Sequence, residues 1–448
     1  MDLQFDCIVV GSGVSGTQAA FSLRETGKSV AIVEEREIGG TCVLRGCDPK
    51  KVLAGAMEAQ QLTKRFVHKG IEQTAKIDWE KLMAFKETFV ENVPHDREQQ
   101  FAQAGIEVFK GTASFSASDT LCVGNDRLSA EYIILATGAR PALLAIEGKE
   151  FFRTSDDFLE MSHLPKRIAF VGGGYIAFEF AAIANAAGSD VAIIHHNDQP
   201  LKNFDPDHVA LLIEKLQEEG VRFYFDTNVT KISQVKGNYQ LQGKDFSLEV
   251  DQVFSTIGRT PNVEKLHLEK ANIQVGKKGI QVNENLLAAP GIYACGDVAD
   301  SEGAPLTPVD SFEAAQVVNH ILGVSNQTTY PDIPSAVFSS PKLARIGVRA
   351  IEAKKEPDKF HVNEVDMRSW YTYRRTNEQV AFAKIVTERA TGQVAGVELI
   401  SEEADILINY FVLLIAGKWT AEQLQSFIFA YPSPAADLTS LLTKMSML

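Results

Sequence analysis

The sequence predicts an α/β protein in which two parallel βαβ units are followed by a C-terminal α+β segment. Two apolar strands each run into a Gly-rich turn and an apolar helix, at the N-terminus and again near residue 168. Beyond about residue 331 the pattern changes to strand-like runs followed by helices. A chain of 448 residues is also too long for one hydrophobic core, so several domains are expected.

The first βα unit begins with an apolar strand from Cys7 to Val10. The turn Gly11-Ser-Gly13-Val-Ser-Gly16, a helix to about Arg24 and a strand from Val30 to Val33 follow it, and Glu34 comes next. Glycines at this spacing let the backbone approach a pyrophosphate at the helix N-terminus, and an acid about 20 residues on accepts hydrogen bonds from a ribose. This unit is therefore predicted to bind a dinucleotide.

The second unit repeats the plan around residue 172. Its parts are a strand from Ile168 to Val171, the turn Gly172-Gly-Gly174-Tyr175-Ile176-Ala177, a helix to about Ala187 and a strand from Val191 to Ile194. His195, His196 and Lys202 follow, and the ribose position has no acid. A neutral or positive rim suits a 2′-phosphate, which favours NADPH over NADH. The alternative is that the two histidines belong to a solvated turn.

Two such units predict two bound dinucleotides and electron transfer between them. We expect the first dinucleotide-binding domain to comprise residues 1–148 and 263–330, and the second to comprise residues 149–262. Residues 331–448 carry no nucleotide signature and are predicted to form an interface domain. Its expected strands are Ala336–Phe338, Val380–Val386 and Gln393–Leu399, and its expected helices are Glu402–Ala416 and Ala421–Phe427.

Charge and hydropathy exclude several classes of protein. A formal net charge of −14 argues against nucleic-acid binding, which needs clustered Lys and Arg. The N-terminus shows no export signal. No apolar run approaches the roughly 18 residues of a membrane span. A cytoplasmic protein without membrane or nucleic-acid partners is therefore predicted.

Two of the five cysteines form a close pair, Cys42-x4-Cys47, in a Gly-rich segment shortly after Glu34. In a chain that looks cytosolic, such a pair is more often catalytic or metal-binding than structural. A helix beginning near Thr41 and the ammonium of Lys50 would each lower a thiol pKa. Zinc is the competing interpretation, but no second Cys pair or His-x-x-x-His accompanies the motif.

With these motifs the chain resembles the class I pyridine nucleotide-disulfide oxidoreductases, which include glutathione reductase, dihydrolipoamide dehydrogenase and mercuric reductase. The resemblance covers nearly the whole sequence. It rests on the Cys-x4-Cys segment and on five further motifs in the family's order: Ala136-Thr137-Gly138, Gly258-Arg259-Thr-Pro261-Asn262, Tyr293-Ala-Cys-Gly296-Asp297, Leu306-Thr307-Pro308-Val309 and Val337-Phe338-Ser339-Ser-Pro341.

The resemblance implies two Rossmann-like domains, the first for FAD and the second for NAD(P)H, and a C-terminal dimerisation domain in a homodimer. It implies that Cys47 holds a thiolate against the flavin and that Cys42 attacks a substrate disulfide. Lys50 and Glu179 match an ion pair beside the flavin, although a helix-surface carboxylate is the alternative for Glu179. Tyr175 matches an aromatic gate over the nicotinamide pocket, with ordinary packing as its alternative.

Asp297 matches the aspartate that binds the FAD ribityl chain. The full set of cofactor-binding residues that we expect is Gly11, Gly13, Gly16, Glu34, Gly40, Thr41, Ala136, Thr137, Gly138, Gly172, Gly174, Tyr175, Ile176, His195, His196, Lys202, Gly258, Arg259, Asp297 and Thr307.

The C-terminus departs from the family's His-Pro-Thr-x-x-Glu motif, whose His serves the partner subunit as acid-base. Tyr431 replaces the His and Ala436 replaces the Glu, while Asp437 stands one place late. No histidine follows His361, so no local shift of alignment restores the motif. Tyr431 is then either a replacement proton donor or a residue that only packs the interface.

Two further departures concern the substrate. The arginines that clamp glutathione carboxylates fall at Phe21 or Ser22 and at Ala315, and the C-terminal cysteine pair of mercuric reductases is absent. The sequence thus favours an NADPH-dependent FAD disulfide reductase acting on a disulfide other than glutathione. One alternative is a flavin reductase of quinones, metals or oxygen. A redox sensor without turnover is the other, although FAD binding alone requires none of Cys42, Cys47, Lys50 and Glu179.

Overall fold

A computed structural model of the chain describes residues 1–325 and 327–443. Its strands are β1 (Asp2–Val10), β2 (Val30–Glu34), β3 (Glu107–Lys110), β4 (Ala113–Ala117), β5 (Thr120–Val123), β6 (Asp126–Leu135), β7 (Ala139–Pro141), β8 (Arg167–Val171), β9 (Asp190–Ile194), β10 (Arg222–Tyr224), β11 (Lys231–Val235), β12 (Asn238–Gly243), β13 (Phe246–Val250), β14 (Gln252–Ser255), β15 (Arg259–Pro261), β16 (Ile280–Gln281), β17 (Leu287–Ala289), β18 (Ile292–Ala294), β19 (Ala299–Asp300), β20 (Ser335–Val337), β21 (Lys342–Gly347), β22 (Phe360–Asp366), β23 (Phe382–Glu388) and β24 (Val394–Ser401).

Its α-helices are α1 (Val14–Glu25), α2 (Gly40–Arg45), α3 (Cys47–Arg65), α4 (Trp79–Glu87), α5 (Val93–Ala104), α6 (Ser155–Leu159), α7 (Tyr175–Ala186), α8 (Pro206–Glu218), α9 (Thr307–Ile321), α10 (Ala350–Ala353), α11 (Tyr371–Arg374), α12 (Ala404–Ala416), α13 (Ala421–Leu424) and α14 (Leu438–Thr443). No helix within the described ranges is both long and apolar enough to cross a bilayer.

The chain divides into two compact units. Unit 1 comprises Met1–Val52, Ala84–Ala142 and Gly258–Tyr330, and unit 2 comprises Leu53–Met83, Leu143–Ile257 and Pro331–Leu448. Most of the predicted second dinucleotide-binding domain and the predicted interface domain therefore lie together in unit 2. The three predicted domains and their boundaries stay a prediction.

Unit 1 is built on a sheet of order β17-β18-β6-β1-β2-β3, and β4 and β5 extend it from β6. Its central strands are parallel, with Ile8 opposite Ala31 on one side and Ile133 on the other. Strands buried on both faces read as continuous apolar runs, as β2 and residues 7–10 of β1 do. Helices α1 and α9 pack against each other beside this sheet. The carboxyl end of β1 thus delivers the first Gly-rich turn to the start of α1.

Unit 2 contains a parallel sheet of order β10-β9-β8-β14 and an antiparallel sheet of order β20-β21-β24-β23-β22. Stacked aromatic side chains fill part of its core, and the Phe158 and Phe180 rings lie 4.1 Å apart. Helix α12 buries Leu407 and Phe411 in the cluster that also holds Leu399 of β24. The predicted α/β class with a C-terminal α+β segment is confirmed.

Candidate active site

The first Gly-rich turn joins β1 to α1 in unit 1. A Cβ on Gly16 would lie 1.9 Å from the Gly11 carbonyl oxygen, and one on Gly40 would lie 2.3 Å from the Gly13 Cα. Only glycine fits at either position. Gly13 precedes α1, and no side chain in the described part of the chain caps that helix. Its first backbone N–H groups can therefore bind a phosphate.

Glu34, the predicted ribose acid, ends β2 and is held by Ser12. Its Oε2 accepts hydrogen bonds from the Ser12 backbone N–H at 2.9 Å and from the Ser12 hydroxyl at 2.7 Å. That hydroxyl also accepts a hydrogen bond from the Gly39 N–H at 3.1 Å. Ser12 is fully buried and ties the first Gly-rich turn to the cysteine segment. It lies inside the Gly-x-Gly pattern, but no sequence signal marked its role.

The chain leaves unit 1 after Ala142 and returns to it at Gly258, and the two segments that make this crossing lie side by side. The Thr137 hydroxyl donates to the Asn262 carbonyl at 2.7 Å, and the Gly138 carbonyl accepts from the Asn262 N–H at 2.9 Å. Strands β7 and β15 pair antiparallel, so Ala139 lies opposite Pro261. The predicted residues Thr137, Gly138, Gly258 and Arg259 belong to this crossing. Ala136 lies just before it, against Gly11 of the first Gly-rich turn. It follows the carboxyl end of β6, where nucleotides bind in open α/β sheets.

Arg259 connects this crossing to Asp297. Its guanidinium donates to the Ala139 carbonyl, and its Nε lies 3.9 Å from Asp297 Oδ2. Burial raises the pKa of Asp297, and the neighbouring Arg259 opposes that rise. The structure thus places a partly desolvated carboxyl group beside a cation, at the position predicted to bind the FAD ribityl chain.

The two predicted redox cysteines lie on consecutive helices. Cys42 lies in α2, which begins at Gly40 next to the predicted start near Thr41, and Cys47 is the first residue of α3. Both are free thiols and half-buried. The Thr307 hydroxyl, at the start of α9, lies 3.2 Å from Cys42 Sγ and 3.4 Å from Cys47 Sγ. A hydroxyl has one proton, so Thr307 can donate to only one sulfur at a time.

The environment makes the two thiols unequal. A hydrogen bond from Cys42 lowers the pKa of Cys47 to about 6, and Thr307 and the Lys50 ammonium act in the same direction against the effect of burial. The same contact with Cys47, followed by burial, raises the pKa of Cys42. At neutral pH Cys47 is therefore the thiolate and Cys42 the thiol. Lys50 contributes as predicted, but the neighbouring thiol contributes more.

The second Gly-rich turn joins β8 to α7 in unit 2. A Cβ on Gly172 would lie 2.4 Å from the Thr256 carbonyl oxygen. Gly174 precedes α7, which receives no side-chain cap from the described residues, and half-buried Ile176 lies in its first turn. Tyr175, the first helical residue, is 42% exposed. This turn therefore combines a phosphate-binding helix N-terminus with an accessible aromatic ring.

Glu179 is 1% exposed on α7, and its Oε1 accepts a hydrogen bond from the Phe338 N–H at 2.9 Å. It is therefore not the surface carboxylate of the alternative interpretation. Lys50 and Glu179 belong to different units, so their ion pair stays a prediction.

The residues predicted to contact a 2′-phosphate differ in environment. The half-buried His195 ring lies over Gly173 and packs edge-on against His196, with centroids 4.5 Å apart. Burial lowers the pKa of His195, so this ring is neutral at pH 7. His196 and Lys202 are exposed. Lys202 therefore carries the permanent positive charge of the predicted set.

The C-terminal residue in place of the family histidine is accessible. Tyr431 is 74% exposed, and its ring stacks on that of Tyr371 with centroids 6.4 Å apart. Burial raises the pKa of Asp437, which receives a hydrogen bond from Thr372. Neither Tyr431 nor Asp437 belongs to the unit that holds the cysteines, so their predicted part in thiol exchange stays a prediction.

Residues 5–319 match the family model "Pyridine nucleotide-disulphide oxidoreductase", and residues 333–441 match that family's dimerisation domain. The chain belongs to the pyridine nucleotide-disulphide oxidoreductase family. It is therefore an FAD-dependent NAD(P)H oxidoreductase of the class that acts on disulfides, and its cofactors are FAD and NAD(P)H. The predicted family, enzyme class and cofactors are confirmed.

Relatives within this family match over nearly the full length. The glutathione reductase of Burkholderia cepacia is 31% identical over 443 residues, which cover 98% of each chain. The mercuric reductase of Staphylococcus aureus is 28% identical and covers 98% of this chain and 82% of its own. A solved structure, the Cu(II) complex of the HOCl-induced flavoprotein disulfide reductase RclA from Escherichia coli, is 26% identical, covers 98% and 99% of the two chains, and has a TM-score of 0.90.

The geometry fits both cofactors of the family. For FAD, unit 1 offers an uncapped helix N-terminus, beside which the backbones of Gly13 and Gly40 approach each other closely. Glu34, Asp297 and Thr307 supply polar groups in the same unit. For NAD(P)H, unit 2 offers the uncapped start of α7 and the exposed Tyr175 ring.

Proposed function

We propose that the protein carries electrons from NADPH through FAD to the Cys42/Cys47 dithiol and on to a disulfide substrate other than glutathione. The observation that carries the proposal is the asymmetric pair, in which Thr307 contacts both sulfurs while Cys47 is the stronger acid. The homodimer and the cytoplasmic location are parts of the same proposal, and the dimerisation domain supports the first.

Each cysteine has a separate task in this mechanism. Bound FAD supplies two-electron transfer between the nicotinamide and the sulfurs. Cys47, held as a thiolate by the Cys42 thiol, Thr307 and Lys50, is the sulfur suited to remain charged inside the protein. Cys42 carries the proton in the resting dithiol and is the sulfur left to form the mixed disulfide, with its proton passing to the leaving substrate sulfur. Thr307 stabilises whichever sulfur is negative, because its proton can be donated to either.

Electron acceptors decide between this proposal and its alternative. The protein is reduced anaerobically with NADPH and then offered small disulfides, lipoamide, quinones and metal ions. Disulfide turnover that is lost in Cys42→Ser supports the proposal. Turnover of quinones or metal ions alone, retained in Cys42→Ser, contradicts it.

A flavin reductase of quinones or metals is the second candidate, and the exposed Tyr431 favours it. A phenol has an ordinary pKa near 10 and cycles poorly as acid and base at neutral pH, whereas quinone and metal reduction need no thiol exchange. Among the relatives, one is a mercuric reductase and one solved structure is a Cu(II) complex.

NADPH should give a larger kcat/KM than NADH. Charge-assisted contacts of Lys202 and His196 with a 2′-phosphate are worth about 1 to 3 kcal/mol, roughly tenfold to a few hundredfold. Because His195 is neutral, Lys202→Ala should remove most of this preference. Steady-state rates with both nucleotides measure it, and Lys215→Ala on α8 is the control. Rates that favour NADH in the wild type would contradict the assignment.

Oxidised glutathione should be a poor substrate. Phe21 stacks on Phe101, Ser22 is uncharged and Ala315 has no polar group, so none of these positions binds a carboxylate as arginine does. We expect the Ser22→Arg, Ala315→Arg double variant to raise kcat/KM for glutathione disulfide more than for hydroxyethyl disulfide, which lacks carboxylates. A wild-type kcat/KM near the diffusion limit, about 10⁸ M⁻¹s⁻¹, would overturn this prediction.

A further inference from the structure

A cluster of acidic groups surrounds Gly296 in unit 1, beside the dithiol. Asp310 lies one turn after Thr307 on α9, and Glu313 follows one turn later. A Cβ on Gly296 would lie 2.5 Å from Ser15 Oγ and 3.0 Å from Asp310 Oδ1, so both side chains pack over this glycine. Asp297 is the next residue in the chain. Three carboxyl groups therefore share one partly buried region.

The carboxyl groups of this cluster are stabilised unequally. Glu313 is 1% exposed and accepts hydrogen bonds from the Gly296 N–H at 2.7 Å, the Ser301 hydroxyl at 2.6 Å and the Tyr330 hydroxyl at 2.7 Å. These three donors satisfy both oxygens of the Glu313 carboxyl group. Asp310 Oδ1 is buried and has no hydrogen-bond partner among residues 1–325 and 327–443. Asp310 therefore lacks the donors that would stabilise its ionised form.

The surroundings of Asp310 favour its neutral form. Burial, Asp297, Glu313 and the Cys47 sulfur together raise the pKa of Asp310 to about 8. The buried Cys295 thiol also faces it, and the nearby cation, Arg259, lies against Asp297. Lys50 acts on Cys47. Cys47 is the smallest of the causes that raise the pKa of Asp310. Thr307, whose hydroxyl contacts both sulfurs, lies one turn before Asp310 on α9, so the charge on Cys47 and the proton on Asp310 are coupled through this turn.

We propose that Asp310 is a proton-holding residue of the redox cycle, which takes up a proton when the dithiol forms and releases it when the disulfide re-forms. This inference rests on the proposed function. Reduction breaks the Cys42–Cys47 bond and adds two electrons, which the nicotinamide supplies. One proton goes to Cys42, Cys47 stays a thiolate, and a second proton from solvent neutralises Asp310.

Reoxidation reverses these changes. The two sulfurs rejoin, two electrons pass to the substrate disulfide, and its two sulfurs leave with the protons from Cys42 and Asp310. Asp310 acts on the reaction through the charge on Cys47. It thereby stores a proton in a protein whose C-terminal motif lacks the histidine that would otherwise do so.

The test is the pH dependence of the midpoint potential of the Cys42/Cys47 pair. The FAD-loaded protein is equilibrated with dithiothreitol buffers at a series of pH values, and the reduced fraction is measured by alkylation and mass spectrometry. In the wild type, the plot of midpoint potential against pH should show a segment with the slope of two protons per two electrons. This segment should end near pH 8, because the pKa of Asp310 is about 8. Asp310→Asn should show one proton per two electrons from about pH 6 upward, where Cys47 ionises.

Two further variants separate the effect of the Asp310 carboxyl group from a general effect of substitution. Asp310→Glu should retain the two-proton segment, because a carboxyl group remains, and Glu269→Gln, at the surface of the same unit, should match the wild type. A one-proton slope throughout pH 7 to 8 in the wild type overturns the inference, whether or not Asp310→Asn folds. A pair that NADPH cannot reduce at any pH contradicts the proposed function instead.

Discussion

Replacement of Cys47 by serine should abolish the long-wavelength charge-transfer band that two-electron reduction produces in the wild type. The band requires a thiolate against oxidised flavin, and Cys47 is the cysteine whose pKa is lowered, to about 6, by the Cys42 thiol, Thr307 and Lys50. Serine cannot supply that anion. Reductive titration followed by absorbance measures the loss, and disulfide reductase activity should fall to background.

The pH dependence of the same band identifies its origin. A group with a lowered pKa keeps its anion above that pKa, so the band should be present at pH 8 and disappear as the pH falls through about 6. Cys42→Ser should retain a band, since a serine hydroxyl can still donate to Cys47. Cys122→Ser is the matched control, because Cys122 lies on β5, away from the paired cysteines. An unchanged band in Cys47→Ser would show that the assignment is wrong.

Replacement of Tyr431 by histidine should accelerate reduction of small disulfides by about 10²- to 10⁴-fold, the usual value of general acid-base catalysis. Imidazole titrates near neutral pH and can protonate a leaving thiolate, which a phenol with a pKa near 10 does poorly. The residue is 74% exposed, so the replacement should not disturb the core. Stopped-flow traces should show a faster oxidative half-reaction and unchanged reduction by NADPH.

Tyr371→His is the matched control for this gain. Tyr371 is 59% exposed and stacks on Tyr431, but it does not occupy the position of the family histidine. It should therefore gain no activity. If Tyr431→His also gains none and Tyr431→Phe loses none with any acceptor, Tyr431 has no role in proton transfer. Acceptors that need no thiol exchange would then be favoured.

Much of the fold could be predicted because its signals are local. Each Gly-rich turn constrains a few consecutive residues. The flanking apolar runs became β2, β8 and β9 with bounds within one residue of those predicted, whereas β1 begins at Asp2, five residues before its predicted start. In the C-terminal sheet, β20, β23 and β24 were expected. Strands β21 and β22 were not. Their pairing is antiparallel to β24 and β23 respectively, and register across long sequence separations leaves little trace in a short apolar pattern.

The residues of the site likewise fall into those that local sequence spacing reveals and those that only the folded structure reveals. Cys42, Cys47 and Glu34 stand at spacings that chemistry requires, so the sequence shows them. Ser12 and Asp310 matter through neighbours far away in the chain, Glu34 and Gly39 for the first and Gly296 and Asp297 for the second. A polar residue early in a helix is usually solvated. Only the packed structure distinguishes a buried Asp310 from a surface carboxylate.

The ladder between β7 and β15 joins the two ends of a long segment of the chain. The Ala142 N–H donates to the Gly258 carbonyl at 3.0 Å, so the chain leaves unit 1 and returns to it at neighbouring points. Everything between these two residues is thus an insertion whose ends are already joined, and a short connector could replace it at small entropic cost. The sheet of unit 1 takes no strand from residues 143–257, so this replacement would leave its strand order unchanged.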